Sequence, residues 1–113
     1  MTNLPHFPQI PHLYLEGFLD AHTSSILESA FEKLIKESKN RIVINFEKLT
    51  YISSAGLGVF MAYIETMRNS KGDIKLCSMS DKIFNIFDML GFPVLFEIFK
   101  QEQSALNKFQ NRI

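Results

Sequence analysis

Ile42-Val43-Ile44-Asn45-Phe46 is a short apolar run rich in β-branched side chains, and the segment Tyr51-Ile52-Ser53-Ser54-Ala55-Gly56-Leu57-Gly58 follows it after a brief turn. The first run suits a buried strand. From Leu57 the period changes: Leu57, Phe60, Met61 and Ile64 recur at helical spacing and share one face. A strand that feeds a helix through a tight junction is half of a βαβ unit, and the flanking sequence repeats the pattern. Upstream, His12-Leu13-Tyr14-Leu15-Glu16-Gly17 reads as a strand, and Phe18-Leu19-Asp20 leads into a helix. Thr23, Ser24 and Ser25 are candidate caps for that helix, and Ser25 with Glu28 has capping-box spacing. Its apolar face is Ile26, Leu27, Ala30, Phe31, Leu34 and Ile35, while Lys36, Lys39 and Arg41 suit the negative end of its dipole.

Downstream, Lys71-Gly72-Asp73 makes a turn and Ile74-Lys75-Leu76-Cys77-Ser78-Met79 alternates as a strand does. Ser80 caps a helix with Ile83, Ile86, Phe87 and Leu90 on its apolar face, and Gly91 ends it. Phe92-Pro93 breaks the chain, Leu95 to Phe99 reads as a short strand, and a helix from Ser104 uses Ala105, Leu106, Phe109 and Ile113. Strand and helix thus alternate from end to end, which implies a largely parallel sheet with right-handed crossovers. Pro5, Pro8 and Pro11 limit residues 1–11 to an extended arm or an edge strand, so the folded unit is expected over residues 12–113.

Composition narrows the function classes. Twelve basic and 12 acidic residues among 113 leave no net charge, so there is no general attraction for nucleic acid or anionic lipid. An apolar fraction of 46% is globular rather than disordered. The single cysteine fits a reducing compartment. Met1-Thr2-Asn3-Leu4-Pro5 does not resemble a signal peptide, and the longest uncharged run, Leu49 to Ile64, is too short and too polar to span a bilayer. A soluble cytoplasmic chain is the expectation. The 11 Phe and absence of Trp mark a core of bulky side chains without polar handles.

Candidate catalytic groups are few. His6, His12 and His22 form no metal-binding pair, Cys77 lies mid-strand without a partner His, and Ile52 stands where a nucleophile elbow at Ser54 needs glycine. Gly56-Leu57-Gly58 is an incomplete dinucleotide fingerprint. No catalytic residue, cofactor or metal is assigned. Ser53 and Ser54 remain, at a turn–helix junction where serine is an ordinary N-cap. Two features go beyond a cap. The helix tip is nearly bare, and Ser54, Gly58, Ala62 and Glu65 form one helical stripe that begins with a hydroxyl and continues with almost no side chain. Such a stripe admits close approach by another protein and leaves the hydroxyl within reach of a kinase.

Leu15-Glu16-Gly17-Phe18-Leu19-Asp20, Ile42 to Phe46, Tyr51 to Gly58 and Gly91-Phe92 with Phe96-Glu97-Ile98 closely resemble, in order and spacing, the STAS domain of small anti-sigma factor antagonists. The resemblance covers roughly residues 12–109. It implies an α/β domain with a mixed, mostly parallel sheet backed by about four helices, no catalytic activity, and regulation by partner switching. In that scheme the unphosphorylated chain binds an anti-sigma factor serine kinase with a histidine-kinase-like ATPase fold. Phosphorylation ends the binding, and a serine/threonine phosphatase restores it. The family's phosphoacceptor, two residues before the glycine, falls on Ser54, with Ser53 as the second choice, and Asp20 matches an aspartate in a loop beside it. The implied partner interface is Asp20, Ser53, Ser54, Ala55, Gly56, Gly58 and Ala62. The chain departs from the pattern where Ser53 replaces an aspartate before the phosphoacceptor and Asn45 replaces a strand aspartate. Competing readings are a STAS domain that binds a nucleotide or lipid-derived ligand or serves a membrane transporter, and a weak hydrolase using Ser54.

Overall fold

A computed structural model describes residues 9–110. Four strands alternate with helices: β1 (His12–Leu19), α1 (Ser24–Lys36), β2 (Arg41–Ile52), α2 (Ser54–Asn69), β3 (Asp73–Cys77), α3 (Asp81–Met89), α4 (Phe92–Leu95), β4 (Ile98–Phe99) and α5 (Glu102–Gln110). The sheet order is β1-β2-β3-β4, and each neighbouring pair among the described strands is parallel. The expected α/β domain with a mostly parallel sheet is what the chain forms, with four substantial helices and the single-turn α4. Residues 1–8, with His6 and two of the arm's prolines, lie outside the described residues, as does Ile113.

The helices α1 to α4 cover one face of the sheet. Ile42, Ile44 and Phe46 of β2 and Ile74 and Leu76 of β3 point into a core completed by Leu27, Phe31, Leu57, Phe60, Ile64, Ile83 and Phe87. Phenylalanine dominates this core. Phe60 lies 5.6 Å from Phe46, 6.2 Å from Phe87, 6.3 Å from Phe96 and 6.4 Å from Phe31, centroid to centroid. Most of these contacts are edge-to-face, the geometry that ring quadrupoles favour. On the opposite face, among the described residues, α5 crosses the strands, and its Ala105 closes a small cluster with Val43 and Cys77 against which Ile10, Phe99 and Phe109 pack.

Several element boundaries differ from expectation. The strand expected over residues 42–46 runs on to Ile52, because its pairing with β1 continues through two register shifts. Leu95 to Phe99 is not a strand: Pro93 sits in the first turn of α4, and only Ile98–Phe99 pair with β3. The chain reaches that turn through Gly91 at φ 78°, a left-handed conformation that glycine adopts without strain. The last helix begins at Glu102 rather than Ser104. Thr23 is the N-cap of α1 but its side chain makes no cap bond, and Ser25 lies inside the helix, so the Ser25–Glu28 capping box does not form. Ser80 caps α3 as expected, accepting from the Ile83 N–H at 3.2 Å. Helical spacing puts Ile26, Met61 and Leu90 on apolar faces, yet they are 69%, 45% and 55% exposed. Each lies at the edge of its apolar stripe, where helical periodicity alone does not separate core from rim.

Candidate functional site

The candidate site is the N-terminal end of α2 where it meets the ends of β1 and β2. Ser53 is the N-cap, with extended backbone, and its Oγ accepts from the Gly56 N–H at 3.3 Å. Its own N–H donates to the Leu19 carbonyl at 2.9 Å, and its carbonyl accepts from Leu57 N–H at 3.0 Å. Ser53 is therefore half-buried and its oxygen is engaged as a cap. Ser54, one residue on, is the first residue of the helix and is exposed.

Gly56 explains how the strand end and helix come so close. A Cβ at this position would stand 2.7 Å from the Leu19 carbonyl oxygen and 2.8 Å from its side chain. Only hydrogen fits there, so Gly56 is buried and shapes the site from beneath instead of presenting surface. Gly58 is the opposite case. It is exposed, and a Cβ there would meet nothing within 4 Å. Ala55, Ala62 and Glu65 are also exposed, so the stripe from Ser54 through Gly58 and Ala62 to Glu65 faces outward along α2. Met61 stands beside it, which adds an apolar side chain to a surface expected to be nearly bare.

Asp20 lies in the β1–α1 loop, directly after Leu19. Its Oδ1 accepts from the backbone N–H of His22 at 2.9 Å and of Thr23 at 3.1 Å, with the Thr23 hydroxyl 3.2 Å away. The Thr23 hydroxyl donates to the Phe18 carbonyl at 2.8 Å and accepts from the Asp20 N–H at 2.9 Å. Desolvation pushes the Asp20 carboxyl up, but the Thr23 and His22 backbone donors, helped by the Thr23 hydroxyl and the charge of His22, outweigh it and hold the carboxyl below its ordinary value. Asp20 thus stays ionised and fixes the loop. The Ser53–Leu19 hydrogen bond ties that loop to the helix tip.

Electrostatically the tip of α2 is open to an anion. No acidic residue lies in its first turn, and no charged residue occurs between Leu49 and Ile64. Free N–H groups and the dipole of a 16-residue helix favour negative charge at this end. Phe18 and Tyr51, paired across β1 and β2, are exposed and meet edge-to-face at 5.8 Å. Neither was singled out from sequence. The signal was there in the two-residue alternation, because Leu19 and Ile52 beside them are buried and strand neighbours point to opposite faces.

Other candidate groups have ordinary places. Cys77 is buried, and burial pushes its thiol above the ordinary value despite the Ser78 hydrogen bond that lowers it. His12 Nδ1 lies 2.8 Å from the Ile10 carbonyl, and His22 is exposed in the Asp20 loop. Asn45, where the family pattern has an aspartate, is buried; its Oδ1 accepts from the Glu47 N–H at 2.7 Å and its Nδ2 donates to Glu102 Oε1 at 3.0 Å. An amide can do both, and a carboxylate facing Glu102 could not. Among the described residues no three or more His, Cys, Asp or Glu are grouped to hold a metal ion, and no helix is long and apolar enough to cross a membrane.

Comparison with known proteins places this geometry. A family model described as the STAS domain matches residues 1–105. The anti-sigma-B factor antagonist of Listeria monocytogenes is 28% identical over 97 residues, covering 84% of this chain and 82% of that one. Among solved structures, the anti-sigma factor antagonist SpoIIAA in its unphosphorylated form superposes with a TM-score of 0.71 at 18% identity, covering 97% of this chain and 98% of the other. SpoIIAA of Bacillus in its phosphorylated form gives a TM-score of 0.70 at 20% identity, with 95% and 97% covered. At such identities the superpositions establish the fold.

Proposed function

The chain belongs to the STAS domain family, and from that premise we propose that it is an anti-sigma factor antagonist acting by partner switching in the cytoplasm. In this reading residues 12–113 are the working unit, preceded by the arm of residues 1–11. The unphosphorylated chain binds an anti-sigma factor serine kinase of histidine-kinase-like ATPase fold through Asp20, Ser53, Ser54, Ala55, Gly58 and Ala62, with Gly56 setting their spacing. Phosphorylation of Ser54 releases the kinase, and a serine/threonine phosphatase resets the chain. The role is regulatory rather than enzymatic. The names carried by the Listeria relative and by SpoIIAA support the class of function.

One observation carries the site assignment. Of the adjacent serines, Ser53 is half-buried with its oxygen engaged by Gly56, whereas Ser54 is exposed on the first turn of α2. Phosphate on Ser54 adds about −1.5 to −2 charges at neutral pH. The helix N-terminus tolerates that charge, so the fold should persist while the surface changes sign. In a desolvated interface an unpaired dianion costs several kcal/mol, and about 1.4 kcal/mol is already tenfold in affinity. The switch is thus an interface effect and not an unfolding one.

The test is to incubate the full chain with a kinase recovered by affinity capture, together with ATP, and to map the modified residue. Label on Ser54, absent in Ser54→Ala, is expected. Ser54→Asp should lose the kinase while keeping the thermal midpoint of the unmodified chain. Label confined to Ser53 would overturn the assignment, and a large fall in the midpoint of Ser54→Asp would overturn the interface mechanism.

A further inference from the structure

The second face of the sheet, remote from the Ser54 stripe, is closed by α5 in an unusual way. Of the nine residues of this helix only Ala105 is fully buried. Beneath it lie Val43 and Cys77, both without exposed surface, flanked by Ile10 ahead of β1 and by Phe99 and Phe109. What fastens α5 is mostly polar and sits at its two ends. At the first residue, Glu102 Oε2 accepts from the Tyr14 hydroxyl at 3.0 Å and Oε1 accepts from Asn45 Nδ2 at 3.0 Å, with His12 Nε2 at 4.0 Å. At the far end the Lys75 ammonium lies 4.6 Å from the centroid of the Phe109 ring and pairs with Asp73 and Glu97, and Lys108 reaches Glu97 at 3.9 Å.

Water takes up much of what polar contacts of this kind provide, so each adds a modest and separable share of the hold on the helix, whereas water cannot replace burial of a large apolar face. A segment that buries little apolar surface opens at the low end of a protein's range of local stabilities. We propose that α5 is a detachable cover: release of the Glu102 clasp lifts the helix off the sheet while the α1–α4 face stays folded, and this exposes the strip of Val43 and Cys77 to solvent. The Cys77 thiol is then reachable in a state that is not the unfolded one. This device does not depend on partner switching, since Ser54 and α2 belong to the opposite face.

The lone cysteine reports on it. The full chain is treated with excess maleimide in native buffer and at rising low urea concentrations, as wild type, as Glu102→Ala and as Leu27→Ala. Leu27 lies in the opposite core, so its truncation lowers global stability with the clasp intact. Wild-type labelling should vary only weakly with urea below the unfolding transition, because little surface opens. Glu102→Ala should label about tenfold faster or more, from the loss of two hydrogen bonds to a carboxylate, and faster than Leu27→Ala even where Leu27→Ala is globally the less stable. If the three rates simply follow global stability, with the steep urea dependence of complete unfolding throughout, the cover does not open on its own and the proposal fails.

Discussion

On one face of the sheet, 19 buried apolar side chains among the described residues form a continuous core under α1 to α4; on the other, Val43 and Cys77 of the sheet meet Ala105 of α5 in a cluster of three. Both faces also carry a tyrosine–carboxylate clasp. Tyr63 of α2 donates to Glu32 of α1 beside the large core, and Tyr14 of β1 donates to Glu102 of α5 beside the small one. The clasps are alike, but what stands behind them is not. Tyr63 also stacks on Phe31 at 5.0 Å, so its hydrogen bond supplements packing. Tyr14 is 64% exposed, so its hydrogen bond stands largely in place of packing. The difference teaches that one sheet can carry a rigid platform for the candidate switch and a lightly held cover.

The two faces should differ most in the cost of emptying the large core. Phe60→Ala removes a fully buried ring touching four others and should cost about 3–5 kcal/mol in denaturant unfolding, whereas Ala105→Gly within α5 should cost only about 1 kcal/mol. Equal losses would mean that the two faces are held equally firmly. The two glycines of the site come next. Gly56→Ala forces a Cβ against the Leu19 carbonyl and should destabilise by about 1–3 kcal/mol. Gly58→Ala meets open space in a helix and should stabilise by about 0.5–1 kcal/mol while weakening kinase capture. A gain in stability with unchanged capture would remove Gly58 from the interface.

The smallest effect is spectroscopic. The hydrogen bond to Glu32, then burial, pushes the Tyr63 hydroxyl up to about 12 from an ordinary 10.0. The hydrogen bond to Glu102 likewise raises Tyr14. A raised phenol pKa contributes stability that is fully present below the ordinary value of 10.0 and is lost as pH rises through about 12 for Tyr63. Alkaline titration followed by phenolate absorbance should therefore show two late tyrosines. In Glu102→Ala, Tyr14 should return toward its ordinary value while Tyr63 stays where it was. A shift of Tyr63 in that variant would show that the two faces are coupled.

Much of this was legible in the residues. The run Ile42 to Phe46 and the change of period at Leu57 specify a strand followed by a helix, and the order of motifs around them specifies the domain. Ser80 as a cap and Gly91 as a stop are local rules obeyed locally. Ser54 as the first residue of a bare helix tip needed only the helical period and the positions of Gly58 and Ala62. What was misread lies at margins. The extension of β2 to Ile52 depends on pairing with β1, and Met61 and Leu90 are exposed at the edges of their apolar stripes, where periodicity does not separate core from rim.

Sequence by itself therefore determined the elements, their order and the stripe that carries the candidate switch, because propensity, capping and periodicity act within a few residues of chain. Only the tertiary structure decided that Gly56 is a spacer while Gly58 is surface, since the one faces the Leu19 carbonyl and the other faces open space. Only it joined Glu102 to Asn45 and Tyr14, residues 57 and 88 positions apart along the chain. Contacts at such separation arise from how the sheet and helices stack, and no local pattern encodes them.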